Sequence, residues 1–202
     1  MLTWNVHGAA RPDRNALAGV LRSFDPDIVA LQEIRIGQAH RLANRLGWNV
    51  HWSRKHFPLG PLVWWRAEGL AVLSRHRLQP ANTWLLTPDA GNSTYRRRIA
   101  QSVVLHIVHG AHPLDVSFVN AHLASHPNGR PDREIQSGIL ASHLAQARAD
   151  GNRQSGPAPL IVVGDLNSDA EPEVLAPLEG LGLRDAWASS TPSASSGLTA
   201  PT

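Results

Sequence analysis

Apolar residues recur along the chain with two spacings, and each predicts an element. Short runs that are apolar at nearly every position predict buried strands at Leu2–Val6, Ile28–Gln32, Trp48–Ser53, Leu70–Ser74, Ile99–Val108, Val116–Ala121 and Leu160–Gly164. The spacing of a helix face appears in Arg14–Phe24 through Leu17, Val20, Leu21 and Phe24, with Asp13 placed to cap its start and Pro26 to stop it. Ala39–Leu46 predicts a second helix, closed by Gly47. A third spans Pro131–Ala149, with Ile135, Ile139, Leu140, Leu144 and Ala147 as its expected buried side, and Pro172–Leu178 predicts a helical turn. Residues 56–67, rich in Pro, Gly and Trp, read as a loop, Gly110–Pro113 as a turn and Asp150–Pro159 as a polar connector. Ser189–Thr202 reads as an unstructured Ser/Thr/Pro-rich tail, which leaves one domain over residues 1–188 and a tail over 189–202.

Four strands end on polar residues: Asn5, Glu33, Asn120 with His122, and Asp165 with Asn167. One polar strand end is ordinary turn chemistry. Four of them in a layered fold predict one convergent site, because ligands collect where strand ends meet loops. Asn5 offers a neutral amide oxygen and Glu33 an anionic one, the mixture a hard cation such as Mg²⁺ takes alongside water and substrate phosphate. Asn120 and His122 are two apart and share a face. His122 in that place binds a phosphate or protonates an oxygen, and Glu68 is a candidate to fix its tautomer. In PLIVVGDLNS, Gly164 permits close approach, Asp165 can orient or deprotonate water, and the Asn167 amide can donate to developing charge. The run Arg96, Arg97, Arg98 suits a nucleic-acid backbone, with Arg97 as the substrate contact, although a solvated loop explains it as well.

Composition narrows the picture only a little. A chain of 202 residues with 42% hydrophobic and 17% charged residues is one ordinary globular domain. Its net charge of +3 is too small to imply a partner. The absence of Cys excludes disulfides and thiolate zinc sites. Cations are nearly all Arg, and Lys55 is the single lysine. The histidines other than His122 are expected at the surface. No basic-then-apolar leader and no apolar run of membrane-spanning length is visible, so the cytoplasm is the default location and no transmembrane segment is expected.

Taken in order, WN near the start, QE about thirty residues on, EGLAVLSR, VNAHL and GDLN resemble the endonuclease/exonuclease/phosphatase superfamily, over Met1 to about Trp187. The resemblance implies an α+β fold, a four-layer α/β/β/α sandwich of two packed, mainly antiparallel sheets. It implies Mg²⁺, or Mn²⁺, on Asn5 and Glu33. Glu68 then resembles the acid that partners His122, Asp165 the water-orienting aspartate and Asn167 the transition-state stabiliser. The implied reaction is metal-assisted hydrolysis of a phosphodiester or phosphomonoester, and the implied partner is a phosphoester substrate, nucleic acid among them. A lipid or inositol phosphodiesterase of the same fold is a second reading, with Phe57, Leu62, Trp64 and Trp65 as an apolar loop for a membrane interface. A third is a catalytically impaired relative. Family members continue with a Thr-containing loop, a further strand and a terminal Ser-Asp-His, whereas here SGLTAPT closes the sequence. The expectation is a domain without its C-terminal strands, an unpaired sheet edge, and little or no phosphodiesterase activity in these 202 residues alone.

Overall fold

The computed structural model describes residues 1–56, 66–88, 97–109, 112–151, 158–169 and 171–190. Within them the elements run β1 Leu2–Asn5, α1 Arg14–Phe24, β2 Ile28–Arg35, α2 Ile36–Leu46, β3 Asn49–Arg54, β4 Glu68–Ser74, β5 Arg77–Leu85, β6 Ile99–His109, β7 His112–His122, α3 Arg130–Gly151, β8 Leu160–Asp165, α4 Pro172–Glu179 and α5 Ala186–Ser190, with a 3-10 turn at Gly8–Ala10. The strands form two sheets, ordered β1-β2-β4-β3 and β5-β6-β7-β8. Each sheet is mixed: β1 runs parallel to β2 and β8 parallel to β7, and the remaining neighbours are antiparallel.

The sheets pack face to face through Ile28, Ala30 and Val72 from one and Val103, Leu105, Val116 and Phe118 from the other. Helices α1 and α2 cover the outer face of the first sheet, with Leu17, Leu21 and Leu42 against Val29, Leu31 and Leu73. Helices α3 and α4 cover the second, with Leu140, Leu144 and Val174 against Ala100, Val119 and Ala121. This is the four-layer α/β/β/α sandwich. Asp13 caps α1 by accepting from Asn15 N.

Strand alternation decides where polarity goes. Val116, Phe118, Asn120 and His122 share the inner face of β7; Ile161, Val163 and Asp165 share that of β8; Ile28, Ala30 and Gln32 that of β2. At one end of the sandwich, then, the dry inter-sheet core gives way to side chains that need partners. Asn120 is wholly buried there and ties the sheets together: its Nδ2 donates to Leu31 O and Ala71 O at 3.1 Å, and its Oδ1 accepts from Gln32 Nε2 at 2.8 Å.

The structure departs from the sequence reading in three elements. Strand β5 was not expected, because Pro80 and a polar face mask it; it is an exposed edge strand whose register shifts between Pro80 and Asn82. Helix α3 turns a different side inward. Ile135 is 61% exposed and Ala147 is exposed, while Arg133, Gln136 and Ser137 are buried with Leu140, Ala141 and Leu144. Hydrogen bonds fix that rotation: Arg133 pairs with Glu171, Ser137 Oγ donates to Val174 O, and Gln136 Oε1 accepts from Ala124 N. Helix α5 occupies the start of the segment expected to be unstructured. The apolar candidates Phe57, Leu62, Trp64 and Trp65, Arg96, and the tail from residue 191 lie outside the described residues.

Candidate active site

Two local devices bring Asn5, Glu33, His122 and Asp165 together. The first is a bulge in β2. Leu31 pairs with Ala71 and Ile34 with Gly69, so Gln32 and Glu33 oppose the single residue Leu70. Glu33 adopts the left-handed conformation, φ 56°, a state that costs a non-glycine residue about 1–3 kcal/mol and needs surrounding support. Trp52 Nε1 supplies part of it, donating to Ile34 O at 2.9 Å. Gly8 packs so closely that a Cβ there would sit 2.2 Å from Glu33 O. The second device is the parallel pairing of β7 with β8, which makes His122 and Asp165 register partners.

The polar contacts close across the sheets. Asn5 Nδ2 donates to Asp165 Oδ2 at 2.9 Å, and Asn5 Oδ1 accepts from His7 N at 3.1 Å. The exposed His7 ring lies 3.3 Å from Glu33 Oε2. His122 Nε2 stands 3.7 Å from Asp165 Oδ2 and 3.9 Å from Glu33 Oε1. The Asp165 carboxylate also accepts from Asn167 N at 3.2 Å, and Asn167 Nδ2 donates to Leu123 O at 3.1 Å.

His122 is buried, and neither ring nitrogen has a hydrogen-bond partner among the described residues. Burial, and behind it Lys55, Arg98 and His7, hold its pKa well below the usual imidazole value. The two carboxylates near Nε2 pull the other way, but without hydrogen bonds to the ring they do not offset its desolvation. The ring is therefore neutral near pH 7, and one nitrogen can donate to an oxyanion while the other accepts.

Three expected assignments change. Glu68 does not partner His122; the carboxylates nearest that ring among the described residues are those of Asp165 and Glu33. Glu68 is buried on β4 and accepts from the Ala9 backbone, and burial together with Glu33 raises its pKa against the pull of Lys55 and Arg35. Asn120 shares a face with His122 but is a staple between sheets, so its amide is engaged by protein and not by substrate. In the arginine run the charge of Arg98 acts on Glu33 and Asp165; Arg98 is buried and donates to Leu123 O at 2.9 Å and Ser125 Oγ at 3.2 Å. Arg97 acts on His56.

Lys55, His56 and His7 escaped the sequence reading as site residues. Lys55 is 3% exposed, and its charge meets Glu33, Glu68, Asp165 and Arg98. His56, expected at the surface, is buried. A usable signal existed for Lys55: one lysine among eighteen other cations, placed directly after a strand.

Among the described residues no three His, Cys, Asp or Glu side chains form a ready-made metal cage. A hard divalent cation does not require one, since it takes one or two carboxylates and completes its shell with water and phosphate. The Glu33 carboxylate and the Asn5 amide oxygen are donors of that kind, so the residues present fit such an ion.

The sequence model described as Endonuclease/Exonuclease/phosphatase family matches residues 2–202. No curated protein matches the chain. Truncated Caenorhabditis elegans TDP2 superposes with a TM-score of 0.60 at 23% identity, over 86% of this chain and 64% of that one. The human Nocturnin catalytic domain with bound sulfate anion gives 0.62 at 21% identity, over 86% and 65%. ANGEL2, a 2′,3′-cyclic phosphatase, gives 0.59 at 18% identity, over 82% and 46%. The chain thus spans about 65% of the length of the first two structures.

Proposed function

Because the chain belongs to the Endonuclease/Exonuclease/phosphatase family, we propose that its cleft hydrolyses a phosphodiester or phosphomonoester by attack of water. The observation that carries this reading is His122, a buried and unpartnered neutral ring facing both Glu33 and Asp165. A ring held in that state is suited to donate a hydrogen bond to a phosphoryl oxygen. Asp165, fixed by Asn5 and by the Asn167 backbone, orients a water and takes its proton as the water oxygen bonds to phosphorus. The ester P–O bond breaks, and the leaving oxygen is protonated from solvent. Asn167 uses one side-chain N–H on Leu123 O and has a second for the charge that develops on phosphate. Asn5 and Glu33 would hold Mg²⁺ or Mn²⁺, which when bound polarises the phosphoryl oxygen and offsets charge on the leaving oxygen.

The sulfate in the Nocturnin structure and the 2′,3′-cyclic phosphatase identity of ANGEL2 support a phosphoester substrate, nucleic acid being one class. Among the described residues no helix is long and apolar enough to cross a membrane.

The test is hydrolysis of bis-p-nitrophenyl phosphate, p-nitrophenyl phosphate and plasmid DNA, with Mg²⁺ or with chelator. It is run on this chain and on a chimera extended with the C-terminal third of a solved relative. Metal-dependent hydrolysis that falls ~10²–10⁴-fold in Asp165→Ala supports the reading. Hydrolysis indifferent to Asp165→Ala, or none in either protein, removes it.

A further inference from the structure

One buried cation in the cleft has no part in the chemistry just described. Lys55 follows β3, its backbone N–H donates to Glu68 O at 2.9 Å, and its side chain is 3% exposed. Lysine is almost never fully buried unless paired. Here the cleft carboxylates make their short contacts elsewhere, Asp165 with Asn5 and His122, Glu33 with His7 and His122. Ser53, two residues earlier on the same side of the chain, bonds Thr83 Oγ1 across the sheets at 2.8 Å, so the Lys55 side chain turns into the space between the sheets, where its charge meets Glu33, Glu68 and Asp165.

Across from it, Arg98 enters on the side of the other sheet, directly before β6, held by Leu123 O and Ser125 Oγ. The two cations repel each other, and both act on His122. Glu33 and Asp165 act on both cations and offset part of that repulsion, and a phosphoryl oxygen reaching Lys55 would add a direct charge-assisted contact. A purely structural role fits Lys55 poorly, because a methionine fills the same volume without the desolvation.

We propose that Lys55, with Arg98 beside it, is the oxyanion grip of the cleft, contacting non-bridging oxygens of the phosphoryl group that His122 faces. The inference rests on the reading of the cleft as a phosphoester hydrolase and adds the group that binds substrate charge without a metal ion. It also explains why the chain's single lysine sits here. A compact ammonium with three donors follows a phosphoryl group as its oxygens move, whereas a planar guanidinium fixes one orientation.

Calorimetric titration with inorganic phosphate in chelator, on the wild type, Lys55→Met and Lys55→Arg, tests this. Wild type binds phosphate, Lys55→Met weakens binding by roughly tenfold or more, as loss of a charge-assisted contact does, and Lys55→Arg restores most of it. Lys55→Met melts no lower than wild type, which separates loss of binding from loss of fold. Absence of phosphate binding by wild type, or equal affinity in wild type and Lys55→Met, overturns the proposal. Hydrolysis of bis-p-nitrophenyl phosphate keeps the two readings apart. Lys55-dependent phosphate binding in a protein that cleaves no ester leaves the grip standing and removes the hydrolase. Asp165-dependent hydrolysis with phosphate affinity and KM unchanged in Lys55→Met leaves the hydrolase standing and removes the grip.

Discussion

Asn5 and Asp165 lie at the ends of strands in different sheets, yet the Asn5 amide donates to the Asp165 carboxylate at 2.9 Å. The bond joins β1 to β8, an edge strand of each sheet, beside His122. It makes one contact serve both the closure of the sandwich and the orientation of the proposed base.

Asn5→Ala leaves Asp165 with one donor fewer in a partly buried place, and unfolding free energy should drop by about 1–3 kcal/mol. Asn5→Asp sets a carboxylate against Asp165 and should melt lower than Asn5→Ala in chelator. If the pair of oxygens at Asn5 and Glu33 takes a divalent cation, millimolar Mg²⁺ should raise the melting temperature of Asn5→Asp more than that of Asn5→Ala. Equal response of both variants to Mg²⁺ would count against Asn5 as a ligand.

Lys55 carries a second prediction, about stability. Burial first, and Arg98 second, hold its pKa down to about 8 against the pull of Glu33, Glu68 and Asp165. A depressed folded pKa means that the unfolded chain binds the proton more tightly. The associated stability is present above the unfolded value of 10.5 and is lost as pH falls through about 8. At pH 7 the buried charge therefore costs about 3 kcal/mol. Lys55→Met should be the more stable protein at pH 7 in denaturant melts, with an advantage that shrinks as pH rises from 8 toward 10. A variant less stable than wild type at pH 7 contradicts the sign. Gained stability together with lost phosphate binding would mark Lys55 as kept for function.

Acid sensitivity should come from two histidines. His56 is lowered to about 4, by burial and then by Lys55, Arg98 and Arg97, and His122 is lowered well below its usual value. Both are depressed, so their contribution is present above 6.5 and is lost as pH falls, for His56 through about 4. Thermal melts between pH 7 and 4.5 should show a decline that His56→Phe reduces. A pH profile identical in His56→Phe and wild type would show that His56 is not protonated on unfolding in that window.

The order of motifs made the sandwich legible and pointed to Asn5, Glu33, His122, Asp165 and Asn167, which the fold brings together as the candidate site, because short apolar runs, polar strand ends and GDLN all lie within local sequence. What escaped depends on relations between strands. Glu68 shares the inner face with the site, but the parallel β7–β8 pairing gives His122 Asp165 as its cross-strand neighbour instead. Asn120 and His122 share a face and are both buried, and only the partners that meet Asn120 across the sheets separate a staple from a ring left without a hydrogen bond. Arg98 and Arg97 are neighbours in a basic run, and what separates them is that Arg98 is buried and tied to Leu123 O and Ser125 Oγ beyond the end of β7. The Glu33 bulge has no local signature, since its left-handed conformation is imposed by Ile34 re-entering the ladder opposite Gly69. Helix α3 was read by apolar periodicity, and its actual inward face is set by Arg133 and Ser137 finding partners on Glu171 and α4.

The tightest constraint at the site is Gly164, which precedes Asp165 and pairs with Ala121 across the parallel β7–β8 ladder. Its φ of +146° lies where side chains are strongly disfavoured, and a Cβ there would stand 1.9 Å from Ala121 O. That atom is backbone and cannot swing aside, so Gly164→Ala must push β8 away from β7 or rotate the peptide that leads into Asp165. Either movement breaks the registration of Asp165 with His122 and strains the bond from Asn5. Such a clash at a constrained backbone position belongs with the severe substitutions, of order 4 kcal/mol or more. Gly19 is the control: it lies inside α1, and a Cβ added there meets nothing within 4 Å. Gly19→Ala should gain about 0.5–1 kcal/mol from helix propensity alone. Denaturant melts of the two alanine variants should therefore move in opposite directions. If Gly164→Ala folds with near wild-type stability, the close approach of β8 to β7 is wrong, and with it the placement of Asp165 beside His122.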